Sequence, residues 1–153
     1  MSEQHPGLLR KLHHTSTVVD DIDDAVSFLR GSFGFEVRFQ ARGMTDLIQS
    51  MLALPDISCD LVQGVTPVSD HVIEFIAFHD VPAGCDEQLP VRPGQGHFAY
   101  VVSDLDAGIA AVRRAGGELV GAVTEFAEGP AVYCFMPSGG VLELEQLRGT
   151  VSP

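Results

Sequence analysis

The chain predicts an α+β fold built from two similar halves, each a strand, a helix and then three strands. Three observations predict it. The sequence repeats itself: "HTSTVVDDIDDAV" at 14–26 matches "HFAYVVSDLDAGI" at 97–109, at an offset of 97 − 14 = 83 residues. Within each copy the apolar period changes from two, as in a strand, to the i, i+4, i+7 spacing of one helical face. Each half also closes on an apolar strand with a carboxylate at its centre, Glu74 in "VIEFIAF" and Glu143 in "VLELEQL".

The elements follow in order. The first strand carries His14, Ser16 and Val18 on one face, because strand side chains alternate. It breaks at Asp residues that can cap the next helix, and Ile22, Val26 and Leu29 then form a helical face ending near Gly31. "FGFEVRF" begins the second strand. An insertion, "ARGMTDLIQSMLALPD" at 41–56, has helical character over 45–54, and "CDLVQG" at 59–64 precedes the Glu74 strand. His71 and His79 flank that strand and read as loop residues. In the second copy Leu105, Ile109 and Val112 repeat the helical face, stopping near Gly116-Gly117. Strands "ELVGAV" and "AVYCFM" follow, and the turn "PSGG" leads into the Glu143 strand. Residues 1–153 form a single domain: module one over about 10–80, a Pro- and Gly-rich linker over about 81–95 and module two over about 96–147. Halves of this size are too small to stand alone and are expected to pair.

Bulk properties exclude several function classes. A formal net charge of −12 argues against nucleic acid, which demands a basic footprint. No apolar run approaches a membrane span. The opening residues lack the order of a signal peptide, so a cytoplasmic protein is expected. Cys59, Cys85 and Cys134 are odd in number and widely spaced, which reads as reduced thiols rather than a disulfide framework. Arg38 and Arg42 are the best anion-binding candidates.

A carboxylate centred in an apolar strand is costly to bury without a partner. The repeat supplies one. His14 and His97 are equivalent by the 83-residue offset, Glu74 and Glu143 by their place on the last strand of each half, and small residues beside each His suggest a lined cavity. If a pseudo-two-fold axis relates the halves, the four converge. Two imidazoles and two carboxylates suit one divalent ion, Zn, Ni, Co, Mn or Fe(II). His13 could replace His14, and Glu145 could replace Glu143 or act as an outer base. His5 falls in the N-terminal tail.

These residues resemble the vicinal oxygen chelate superfamily, which includes glyoxalase I, methylmalonyl-CoA epimerase, bleomycin-resistance proteins and extradiol dioxygenases. "LHHTSTVVDDIDDAVSFLRGSFGFEV" and "GHFAYVVSDLDAGIAAVRRAGGEL" look like its two strand–helix–strand openings. "MPSGGVLELEQ" looks like its closing turn and ligand strand, with Met136 in place of the usual Asp. The resemblance implies two tandem βαβββ modules paired into a cupped mixed sheet around a metal-binding cleft, with ligands at His14, Glu74, His97 and Glu143. It implies a homodimer acting on a small-molecule substrate. The expected activity is that of a metal-dependent lyase or isomerase of the glyoxalase or epimerase type. Such an enzyme chelates vicinal oxygens of a small carbonyl or thioester and shuttles a proton, with Glu143 the first candidate to move it and Glu74 the second. A thioester would need an anion clamp from Arg38, Arg42 or Arg92, and an epimerase a further acid, for which Asp56 or Asp60 could stand. The alternatives are an Fe(II) extradiol-type dioxygenase using His14, His97 and Glu143, or a metal-free drug-binding protein of the bleomycin-resistance type.

Overall fold

The computed structural model describes residues 7–149 of the chain. Strand β1 (Leu9–Val18) leads into helix α1 (Ile22–Phe33), strand β2 (Glu36–Met44), helix α2 (Asp46–Leu52) and strands β3 (Ser58–Thr66) and β4 (Ser69–His79). Strand β5 (Gly96–Val102), helix α3 (Leu105–Arg114) and strands β6 (Glu118–Leu119), β7 (Thr124–Phe126), β8 (Gly129–Phe135) and β9 (Val141–Glu145) complete the chain. The fold is α+β. All nine strands join one mixed sheet in the order β2-β3-β4-β1-β5-β9-β8-β6, with β7 also paired to β8.

The repeat is visible in the sheet's register. At its centre β1 and β5 run antiparallel with Thr15 opposite Phe98. Those residues are 98 − 15 = 83 apart, which is the repeat offset, so a pseudo-two-fold axis passes through this pair. It exchanges His14 with His97 and Ser16 with Ala99; accordingly, His14 lies opposite Ala99 and Ser16 opposite His97. Strand β4 runs parallel to β1 with Glu74 beside Ser16, and β9 parallel to β5 with Glu143 beside Ala99. Because Ser16 and Ala99 are equivalent, so are Glu74 and Glu143. The strands approach closely where they cross: a Cβ at Gly96 would run into the Ser16 carbonyl.

Both long helices start as the sequence suggests. The Asp21 carboxylate accepts from Asp24 N at 3.0 Å, and Asp104, one repeat later, accepts from Ala107 N at 3.0 Å. Helix α1 continues past Gly31 to Phe33, where Gly34 closes it in the left-handed conformation (φ 72°). The expected strand "ELVGAV" survives only as two-residue β6. Its continuation is pressed against α2, where Gly121 leaves no room for a side chain beside the Ser50 and Met51 carbonyls. His71 and His79 belong to β4 rather than to loops, because pairing with β3 extends to Ser58 opposite His79.

Two segments that look peripheral in the sequence are built into the core. Leu89 and Val91 of the linker are buried in the main apolar cluster, and Gly94 N donates to the Val18 carbonyl at 3.0 Å. The 41–56 insertion forms α2, whose Ile48, Met51 and Leu52 are buried in the same cluster. It reaches from β3 across to β7 and β8: Ala122 N donates to Ser50 O at 3.0 Å, and Thr124 Oγ1 donates to Ser50 Oγ at 2.7 Å. At roughly 1.5–3 kcal/mol per fully buried large aliphatic side chain, this helix ties the far ends of the sheet together. A cavity lies between it and the central strands.

Candidate metal centre

His14, Glu74 and Glu143 line that cavity, and His97 meets them behind its lining. Their exposures are 2, 4, 7 and 6%, in a molecule whose other buried polar residues are Ser16 and Thr124 among those described. His14 and His97 bring their Nε2 atoms to 3.3 Å. Glu143 Oε2 stands 3.1 Å from His97 Nε2 and 3.3 Å from His14 Nε2. Glu74 is further off, with Oε2 3.7 Å from His14 Nε2 and Oε1 3.8 Å from His97 Nε2.

These separations test the fit of a divalent ion. Ligand bonds of about 2.0–2.2 Å place neighbouring donors roughly 2.8–3.6 Å apart across octahedral and tetrahedral geometries. The three separations among His14, His97 and Glu143 fall inside that range, and those to Glu74 lie just outside it. A tight His/His/Glu cluster with a fourth carboxylate one small movement away fits such an ion. The donors are nitrogen and oxygen, which suits Zn, Mn, Co, Ni or Fe(II).

The electrostatics agree. Burial alone would push the His14 pKa down, but the hydrogen bond with Glu143 and the charge of Glu74 outweigh it and raise the pKa to about 9. Burial would likewise raise Glu143, yet its hydrogen bonds to both histidines hold its carboxyl well below the usual range. In the protein alone, a proton on imidazole supplies the positive charge that the carboxylates demand. Glu145, on the same face of β9, is pushed up to about 9 by burial and by the charge of Glu143.

Supporting groups surround the four. Gln63 lies opposite Glu74 in the β3–β4 register and donates its amide to Glu74 Oε2 at 2.7 Å. Tyr133 occupies the matching position opposite Glu143 in β8–β9, and its ring packs edge-on against His97, with centroids 4.9 Å apart. Burial, then the charge of Glu143, raises the Tyr133 phenol well above its ordinary pKa, so it stays protonated. His13 Nδ1 lies 2.7 Å from His14 Nδ1. If His14 held an ion through Nε2, its Nδ1–H would donate to His13, which would fix the ring's tautomer and orientation. Ser16 Oγ, in register with both His97 and Glu74, is buried without a hydrogen-bond partner. Gln63 and Tyr133 escape a reading of the sequence, although pairing the strands around each carboxylate by register would point to both.

Other sequence candidates lie elsewhere. Arg38 pairs with Glu36 at 3.4 Å, and Arg42 with Asp23 at 2.9 Å; Arg92 donates to the Cys85 carbonyl at 3.2 Å. Asp60 accepts from Gly43 N at 2.7 Å and lies 3.1 Å from His79 Nε2, while Asp56 is exposed in the turn before β3. None of these five lines the cavity. His71 bonds Thr15 on the surface, and His5 lies outside the described residues.

Sheet order, paired modules and a His/Glu-lined cup define the vicinal oxygen chelate class of fold. The family model for the Glyoxalase/Bleomycin resistance protein/Dioxygenase superfamily matches residues 11–144, and the chain belongs to that superfamily. Its members typically bind a divalent metal and small-molecule substrates, and many are enzymes. The sequence matches no curated protein. Among solved structures, the fold is similar to methylmalonyl-CoA epimerase from Mycobacterium tuberculosis (TM-score 0.69, 21% identity, covering 96% of this chain and 94% of that one). It is also similar to a single-substitution variant of methylmalonyl-CoA epimerase from Streptomyces coelicolor in complex with 2-nitronate-propionyl-CoA (TM-score 0.63, 20% identity, 95% and 99% coverage). A mutant 4-hydroxymandelate synthase from Streptomyces coelicolor gives a TM-score of 0.61 at 14% identity, over 95% of this chain and 51% of that one. Relatives named for such different activities share the fold, so at these identities the likeness concerns architecture alone. No helix among the described residues is long and apolar enough to cross a membrane.

Proposed function

We propose that this protein is a divalent-metal-dependent isomerase or lyase that chelates two neighbouring oxygens of a small carbonyl substrate and moves a proton. The observation that carries this reading is the buried convergence of His14, His97 and Glu143, with Glu74 just beyond, at a cavity that His14, Glu74 and Glu143 line. His14, Glu74, His97 and Glu143 would hold the ion. When bound, it would act as a Lewis acid on the substrate oxygens and acidify the adjoining C–H.

The rest is the work of the chain. Glu74 and Glu143 come from opposite halves and can serve a proton on two faces of one carbon, as isomerisation requires. The sequence alone favours Glu143 as the mover. The distances support the reverse order, because Glu143 is shared closely by both imidazoles, whereas Glu74 stands further from them and has a second partner in Gln63. His13 orients His14, the Tyr133 ring backs His97, and α2 walls off water. A second reading draws on the same asymmetry. Three tight donors with the fourth set back could equally suit Fe(II) oxygenation with a two-His, one-carboxylate set.

Metal analysis of the purified protein beside His97→Ala tests the centre. About one divalent ion per chain is expected in the wild type and close to none in the variant. Absence of metal even after reconstitution would overturn the proposal. Solvent-deuterium incorporation next to a carbonyl would then favour proton transfer, and oxygen uptake with catechols would favour the second reading.

A further inference from the structure

We infer that the cavity over the quartet selects a compact, uncharged substrate with an apolar body and turns anionic substrates away; this rests on the vicinal-oxygen reading above. The cavity volume is about 310 Å³. That is the small end of the range of about 300–1,000 Å³ for ligand pockets. One wall is apolar, made by Phe39, Met44, Ile48, Met51, Leu61 and Phe126. The lining also carries the carboxyls of Glu74, Glu143, Glu145 and the exposed Glu128.

None of the chain's nine Lys and Arg residues lines this cavity. Arg38 and Arg42 are committed to the partners described above, Arg148 to the Glu125 carboxylate and, at 3.2 Å, the Phe126 carbonyl, and Arg92 donates one nitrogen to the Cys85 carbonyl away from the cavity. Recognition of a phosphate or carboxylate would need bidentate Arg, Lys or a cluster of free backbone N–H groups. Among the described residues, no Lys or Arg side chain lines the ligand space. A divalent ion would offset Glu74 and Glu143, and the exposed Glu128 carboxylate together with the −12 net charge would still repel an anion on approach. Coenzyme A thioesters and glutathione adducts carry several anionic groups, so charge works against them. A small hydroxy ketone or ketoaldehyde with an aliphatic or aromatic substituent satisfies the wall, the volume and the metal-facing oxygens.

Paired probes test this on the metal-loaded protein: benzohydroxamic acid, which chelates through vicinal oxygens, and its para-carboxylated analogue. Calorimetric titration at about 0.01 M ionic strength, where screening is weak, should show the added carboxylate weakening binding by about tenfold or more. The gap should shrink at high salt, and Glu128→Lys should narrow it. Equal or tighter binding of the carboxylated probe, or a wider gap in Glu128→Lys, would overturn the inference. A second arm needs no metal. The metal-free protein is titrated with benzamide and benzoate by NMR, and a preference for benzoate would overturn charge selection whatever the ion does. Failure of the metal reading shows separately, as absence of bound ion, while coenzyme A binding at micromolar concentration would sink the substrate class directly.

Discussion

The two halves of the molecule present the same ligands on the same register and support them differently. In the first half, Glu74 is backed by Gln63, whose amide holds it at 2.7 Å and keeps it slightly back from the imidazoles. In the second, the equivalent of Gln63 is Tyr133, whose ring packs against His97, and Glu143 is left to both histidines at 3.1 and 3.3 Å. Symmetry delivers four donors to one point. On the proposed function, the break in symmetry would make Glu143 a fixed ligand and Glu74 a movable one, a division of labour that proton transfer can use.

The comparison breaks most plainly at the carboxylates. Glu143→Gln removes the charge that both imidazoles face. Taking one partner from a buried ionic cluster costs about 3–5 kcal/mol, so metal affinity measured by competition with a chelator should fall by about two to four orders of magnitude. Glu74→Gln should lower it less, by roughly 10–100-fold as for an outer partner, while reducing turnover more than affinity. Equal losses would mean that the asymmetry is only geometric. Met51→Ala, in the helix that closes the cavity, should destabilise the protein by about 2–5 kcal/mol, read by denaturant unfolding. Gln63→Leu should weaken metal binding by about tenfold through Glu74. Tyr133→Phe, which keeps the ring against His97, should change it by less than about threefold, because the ring and not the hydroxyl makes that contact.

Much of this was legible beforehand, for identifiable reasons. The 83-residue repeat fixes His14 and His97 as equivalents because antiparallel β1 and β5 cross on the axis at Thr15 and Phe98. Glu74 and Glu143 stand out because carboxylates in apolar strands demand a partner. Gln63 stayed hidden because its meaning depends on β3–β4 register, which an amide in a strand does not announce. The reach of α2 onto β7 and the burial of Leu89 in the linker are tertiary facts. An amphipathic turn of helix and a Pro-rich segment carry no local sign of what they pack against. Asp60, read as a possible acid of the site, shows the same limit: its spacing is suggestive, but its partners lie on the outer side of the sheet.

Asp60 offers the smallest effect and a clean sign. Its carboxylate accepts from Gly43 N at 2.7 Å, holding the irregular end of β2 against β3, with His79 at 3.1 Å and Arg42 at 3.9 Å. The Gly43 N–H, ahead of the His79 contact, lowers its pKa below the ordinary carboxylate value of 3.8. A depressed carboxylate binds fewer protons folded than unfolded. Its contribution is therefore present above pH 3.8 and lost as the pH falls through the lower folded-state value. Asp60→Ala should cost about 1 kcal/mol at neutral pH, and its deficit relative to wild type should close in acid. A deficit that persists unchanged to pH values where Asp60 is protonated in both states would mean that the side chain acts by packing. The second half offers the contrast, since β7 is clasped to the segment after β9 by Arg148 and Glu125, both well exposed. Removing that exposed pair should change stability by less than about 1 kcal/mol, and the difference between the two outer clasps measures what a backbone N–H adds to a surface carboxylate.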